Sequence, residues 1–117
     1  MKIAVTADLL DGLVLALLEQ KDYYGYALTQ DMQKIISISE STMYPVLRRL
    51  KKHKYLKTYD VPHDGRNRRY YQITATGQDH LQQILQLWTD YRDSLDTVFR
   101  RADQILKTDQ KGGEKNG

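Results

Sequence analysis

Nine lysine or arginine side chains stand between Arg48 and Arg69, against two carboxylates, Asp60 and Asp64. That segment carries +7 in a chain whose formal net charge is +3. Residues 1–47 hold three basic and six acidic residues, and 70–107 hold four and five. The molecule is therefore a mildly acidic body bearing one concentrated basic strip. Cationic side chains gathered this way neutralise phosphates and release counterions, the chemistry of gripping a nucleic-acid backbone. Hydroxyls at Ser41, Thr42 and Tyr44 adjoin the strip and can donate to phosphate oxygens or base edges. A basic helix taken alone is more often a solvated face, so the placement of these residues decides the matter.

The patterning puts the strip on a helix and a hairpin. Residues 8–19, DLLDGLVLALLE, are apolar almost all round and poor in β-branched residues, which predicts a helix enclosed on more than one side. QKDYYGY reads as a break centred on Gly25, with a second helix from about Tyr24 to Ile36. Ser39 is a favourable N-cap and Glu40 suits the first turn of a third helix, expected over 39–54. Met43, Val46, Leu47 and Leu50 make its buried face; Ser41, Tyr44, Arg48 and Lys51 or Lys52 lie opposite, at spacings of three and four. Pro45 is expected near the start, where a missing N–H costs least. Residues 55–61 and 68–74 alternate as strands do, and Asp64-Gly65 supplies a turn able to take positive φ. The expected fold is mainly α with a small β-hairpin, a winged helix-turn-helix over 1–74. The basic residues coincide with the exposed face of its recognition helix and with its wing, which favours DNA binding over a solvated face.

A last helix is expected from Ala75 to about Lys107, roughly 45–50 Å at ~1.5 Å per residue. Leu81, Ile84, Trp88, Tyr91, Leu95, Val98, Ala102 and Ile105 recur at alternating spacings of three and four, a dimerisation seam of coiled-coil type. A helix projecting from so small a body cannot bury such a seam internally, and the simplest partner is its own copy. Residues 108–117 lack apolar anchors and read as a disordered tail.

Other classes of function find little support. There is no cysteine, so disulfides and thiolate metal sites are excluded. No apolar run approaches the ~18–20 residues that cross a bilayer, and MKIAVTADLLDG has an acid too early for a secretory signal, so no membrane association and a cytoplasmic protein are expected. His53, His63 and His80 are scattered without metal-ligand spacing. Tyr23-Tyr24 and Tyr70-Tyr71 read as core and strand residues rather than a base-stacking platform. Nothing supplies a P-loop, a nucleophile elbow or a paired-carboxylate pocket, so neither an enzyme nor a cofactor or metal is expected.

Four segments carry a family resemblance: LLDGLVLALLEQ (9–20), Gly25-Tyr26, ISESTMYPVLRRL (38–50) and DGRNRRYYQITATG (64–77). The chain resembles the PadR transcriptional regulators, and the Thr-hydrophobe-Tyr-Pro and Gly-Arg…Tyr-Tyr-x-Ile-Thr combination is specific. The resemblance implies a dimeric winged-helix repressor of bacteria or archaea; two recognition helices held in a homodimer would then read a roughly palindromic double-stranded DNA operator. By position, Ser41, Thr42, Tyr44, Arg48 and Arg49 match recognition-helix residues, and Lys52 on the same exposed face is expected to add a phosphate contact. Gly65, Arg66, Arg68 and Arg69 match the wing, with Asn67 where many members have proline. A single C-terminal helix resembles the short subgroup.

Trp88 is the sole tryptophan and falls on the seam. Core packing between helices explains it without further function. Short members of the family also bind flat aromatic compounds between paired tryptophans at the dimer centre, and Trp88 in LQLWTDY stands where such a residue would. That resemblance implies a slot for a planar aromatic effector, lined by Leu85, Trp88 and helix-one residues such as Leu15. Rival readings from other classes are a protein-interaction module, because winged helices also bind proteins, and a nonspecific architectural DNA binder.

Overall fold

The computed structural model describes residues 5–112, with side chains described to 109. Its elements run α1 (Ala7–Gln20), β1 (Tyr23–Tyr24), α2 (Gly25–Ile35), α3 (Glu40–Lys52), β2 (Leu56–His63), β3 (Arg66–Ile73) and α4 (Ala75–Gly112). This is the expected winged helix-turn-helix followed by a long helix. Two compact units divide between Leu85 and Gln86.

In the first unit, Thr6 caps α1 by accepting from the Leu9 amide at 3.3 Å. The apolar girth of α1 puts Val14, Leu15 and Leu18 at the centre of the core. Leu28 and Met32 of α2, Met43, Val46, Leu47 and Leu50 of α3, Leu56 of β2 and Leu81 of α4 close around them. The α3 stripe is thus buried where the three-four spacing places it.

The three strands form one antiparallel sheet in the order β1-β3-β2. Strand β1 falls where a break was expected. Two residues are too short to show periodicity, and they become a strand because β3 offers them an edge: Tyr23 pairs with Tyr71 and Tyr24 with Tyr70. Tyr23 turns inward and donates its hydroxyl to Asp31 of α2 at 2.7 Å. The wing is a two-residue hairpin, paired from Leu56↔Ile73 out to His63↔Arg66. Asp64 and Gly65 take φ of 50° and 75°, the left-handed pair such a tight turn requires. Both strands run closer to the tip than the alternation indicated. Pro62 reads as a breaker, yet β2 is an edge strand, where a missing N–H is tolerated.

Thr74 ties the wing to α4. Its hydroxyl accepts from the Gly77 amide at 2.9 Å and donates to the Lys54 carbonyl at 2.6 Å. A Cβ on Gly77 would overlap the Tyr55 carbonyl oxygen, so this helix start has room only for glycine. The His80 ring stacks on Tyr55 at 4.1 Å between centroids. Leu81 and Ile84 are buried, and a Cβ on Gly12 of α1 would come within 2.7 Å of Ile84 Cγ2. The first turns of α4 therefore pack with the winged core, and the first compact unit runs to Leu85. Leu81 and Ile84, assigned above to a dimer seam, already have their surface covered within the chain.

In the second unit, α4 carries its apolar residues uncovered, and its opposite side carries ion pairs Arg100–Asp96 and Lys107–Asp103. The helix continues to Gly112, so 108–112 of the expected tail are helical; 113–117 lie outside the described residues. Among the described residues, no helix is long and apolar enough to cross a membrane.

Candidate nucleic-acid interface

Ser39 has extended backbone angles and caps α3, its Oγ accepting from the Thr42 amide at 3.3 Å. The same oxygen lies 2.8 Å from Ser41 Oγ and 3.1 Å from Thr42 Oγ1. Three exposed hydroxyls thus cluster where the first N–H groups of the helix face outward and the positive end of its dipole lies. One turn on, Tyr44 is 39 % exposed and rests over Gly25 of α2, where a Cβ would lie 3.8 Å from its hydroxyl oxygen. The bare Cα of Gly25 also makes room for Tyr71, 3.3 Å from the same point. Burial pushes the Tyr71 phenol above its ordinary pKa; Arg69 and Arg48 pull against that and Tyr44 adds to it. The electrostatic neighbourhood therefore joins α3 to the wing's base. Pro45 sits in the second turn of α3 rather than the first, where the helix runs on through it.

Arg48 and Lys52 are exposed and carry no ion pair among the described residues. Arg49 differs. Its guanidinium Nη2 donates to Asp11 Oδ1 of α1, and the two form an ion pair. The physical reason is that Arg49 flanks the buried stripe of α3 at its Val46 edge, whereas Arg48, about 100° further round, lies opposite it.

On the wing, Arg66 is exposed next to the Asp64-Gly65 turn and holds no ion pair or ring contact among the described residues. Arg68 is half-buried, its guanidinium carbon 4.3 Å from the centroid of the Tyr24 ring. Such cation–π stacking fixes its direction. Arg69 lies 3.7 Å from Asp60 across the hairpin and stays exposed. On the outer side of the sheet, Tyr24, Tyr70 and Tyr59 form a row across all three strands, and Tyr59 donates to Asp22 at 2.6 Å.

The α4 residues divide by unit. Trp88, Tyr91, Leu95, Val98 and Ile105 are exposed, as is Ala102. Leu85 is half exposed, whereas Leu15 is fully buried in the winged core. Leu15 therefore has no surface to offer a ligand, because α1 is enclosed on the side it occupies.

Several contributing residues escaped the sequence reading. Asp11 is an acid inside the apolar run 8–19, and a carboxylate on a buried stripe demands a cationic partner. Phe99 and Leu106 are exposed next to Val98 and Ile105. Each lies one residue beyond a seam position, which a strict heptad template passes over.

The matches to known proteins agree with this architecture. Residues 14–83 match the model of the transcriptional regulator PadR-like family. The protein smu.1704 of Streptococcus mutans is 40% identical in a solved structure, covering 86% of this chain and 94% of that one at a TM-score of 0.79. A PadR family transcription regulator of Clostridium difficile is 29% identical, over 77% and 97% of the two chains, at a TM-score of 0.71. An uncharacterised protein of Lysinibacillus sphaericus is 34% identical over 93 residues, 74% of this chain and 84% of that protein. The hydroxyl-tipped third helix, the basic hairpin and these matches lead to one assignment: the chain belongs to the PadR-like family of transcriptional regulators, DNA-binding proteins rather than enzymes.

Proposed function

We propose that the chain is a cytoplasmic homodimeric repressor that reads a palindromic operator with two copies of α3. What carries this reading is the exposed face of α3, with hydroxyls at its N-terminus and Arg48 and Lys52 along its length, next to Arg66 on the wing. In the proposed complex, Ser41, Thr42 and Tyr44 meet base edges and phosphates in the major groove. Arg48, Lys52, Arg66 and Arg69 supply backbone attraction, and Gly65 lets the wing tip approach the duplex closely. Arg68, stacked on Tyr24, reaches from β3 two pairs in from the turn.

Dimerisation is assigned to the exposed α4 stripe of Trp88, Tyr91, Leu95, Val98, Ala102 and Ile105, widened by Phe99 and Leu106. A contiguous apolar face of this kind marks an interaction surface. Two copies would set half-sites about one helical turn apart. Trp88 would hold a planar aromatic effector that favours one spacing of the reading heads, since a ligand shifts an equilibrium only through different affinity for its states.

The test begins with a duplex enriched by the chain from a randomised pool. Gel shift against a scrambled duplex of the same length should show preference for the enriched sequence, and equal retention of both would point to a nonspecific binder. For the effector, planar aromatic compounds should quench the emission of the single tryptophan, Trp88. Emission unchanged across such a panel would leave Trp88 with packing alone.

A further inference from the structure

Arg49 is the one cation of the α3 strip drawn into the fold. Its partner, Asp11, has a side chain only 12 % exposed, while that of Arg49 is 40 % exposed. No other hydrogen bond to the Asp11 carboxylate is present among the described residues. The buried side chains of α3 are otherwise Met43, Val46, Leu47 and Leu50, which are apolar and impose no direction. Such surfaces resist separation, but they tolerate sliding and rolling better than a charge-assisted hydrogen bond, which depends on distance and angle. The ion pair is therefore the directional tie between the C-terminal half of α3 and α1. It lies at a crossing of three helices, because the next residue, Gly12, sits against Ile84 of α4.

We infer that Asp11 and Arg49 act as a positioning pair: they set the angle at which α3 meets DNA, and Arg49 does not itself bind phosphate. The inference rests on the DNA-binding reading above. Base readout needs side chains held within about half an ångström and 10–20° of their working geometry, so a freed α3 loses discrimination before it loses affinity. Asp11 is an acid that strengthens specific binding to a polyanion, and that is the inference's least expected consequence. Simple electrostatics gives the opposite sign for its removal.

Affinity for the enriched duplex and for a scrambled duplex is measured across a salt series, for the full-length chain and its variants. Asp11→Asn should lower the ratio of enriched to scrambled affinity about tenfold, with scrambled binding unchanged or tighter as Arg49 is released. Arg49→Ala should lower the ratio likewise and leave the salt slope of scrambled binding near the wild-type value. Arg48→Ala is the contrast, since loss of a phosphate contact reduces the slope by about 0.9. Combining Asp11→Asn with Arg49→Gln should cost no more than either change alone, because the two act as a unit.

Should Asp11→Asn unfold, Asp11→Leu with Arg49→Met keeps the volume apolar and removes only the direction; such replacements are commonly tolerated. That double variant should melt at or above the wild-type temperature while still losing discrimination. An unchanged ratio in a folded variant overturns the inference, as does a salt slope reduced in Arg49→Ala as much as in Arg48→Ala. A wild-type chain that fails to prefer its enriched duplex overturns the DNA-binding reading and this inference with it.

Discussion

Helix α3 and the part of α4 beyond Gln86 are both amphipathic, and they leave opposite faces bare. In α3 the apolar stripe is covered: Met43 and Leu50 are 0 % exposed, and what remains outside is hydroxyl and cation. In α4 the charged side is laced with its own ion pairs, and what remains outside is Trp88, Leu95, Val98 and Phe99. A free surface of cations and hydroxyls is matched by a polyanion; a free surface of hydrocarbon is matched by more hydrocarbon. Neither face alone makes a regulator. Phosphate attraction gives affinity with little selectivity, and an apolar stripe gives only association.

The largest blow to this contrast should come from a charge in the α4 stripe. Leu95→Asp places two carboxylates at one two-fold interface and should raise the dimer dissociation constant about a thousandfold or more. Sedimentation equilibrium should show a monomer, while the winged domain keeps its melting transition. A variant that sediments as a dimer would move association to another surface. A smaller effect is expected on the other face. Ser41→Ala, which removes a base-reading hydroxyl, should cost on the order of 1–3 kcal/mol in affinity for the enriched duplex and leave scrambled binding nearly unchanged. Arg66→Ala should weaken all sequences nearly equally and reduce the salt slope by about one, as a phosphate contact does. If Arg66→Ala instead relaxes the preference at particular base pairs, the wing reads sequence and the division between helix and wing fails.

Smaller still are changes that disturb how the α3 face is built. Ser39→Ala removes the cap and should cost about 1 kcal/mol of stability in urea unfolding. Beneath that lies a pH effect. Hydrogen bonds from Tyr23, first, and Lys34 hold the Asp31 carboxyl below the usual carboxylate range. Its contribution is therefore present above the unfolded pKa and lost as pH falls through the folded one. Asp31→Asn should lower stability at neutral pH and flatten its decline in acid, as read by melting at several pH values. An unaltered acid limb would show that the Tyr23–Asp31 tie between β1 and α2 has no energetic weight.

The sequence was most legible where one local rule acts alone. Ser39 caps α3, Asp64-Gly65 turns the hairpin, and the spacing of Met43, Val46, Leu47 and Leu50 finds the core. It was least legible where tertiary contacts decide. Tyr23-Tyr24 are a strand only because β3 lies alongside. Leu81 and Ile84 look identical in pattern to Leu95 and Val98, and only the winged core separates them. Arg48 and Arg49 are neighbours of one type, yet the rotation of about 100° per helical residue turns one outward and the other toward Asp11. Periodicity names a face; it does not say what already covers it.

If α4 pairs two α3 faces into one reading unit, footprinting on the enriched duplex, with stoichiometry from sedimentation, will reveal the pairing. Two protected half-sites about one helical turn apart, with two chains per duplex, are predicted, and Leu95→Asp should abolish both together. A single protected half-site bound by one chain, or full protection by the Leu95→Asp variant, would contradict it.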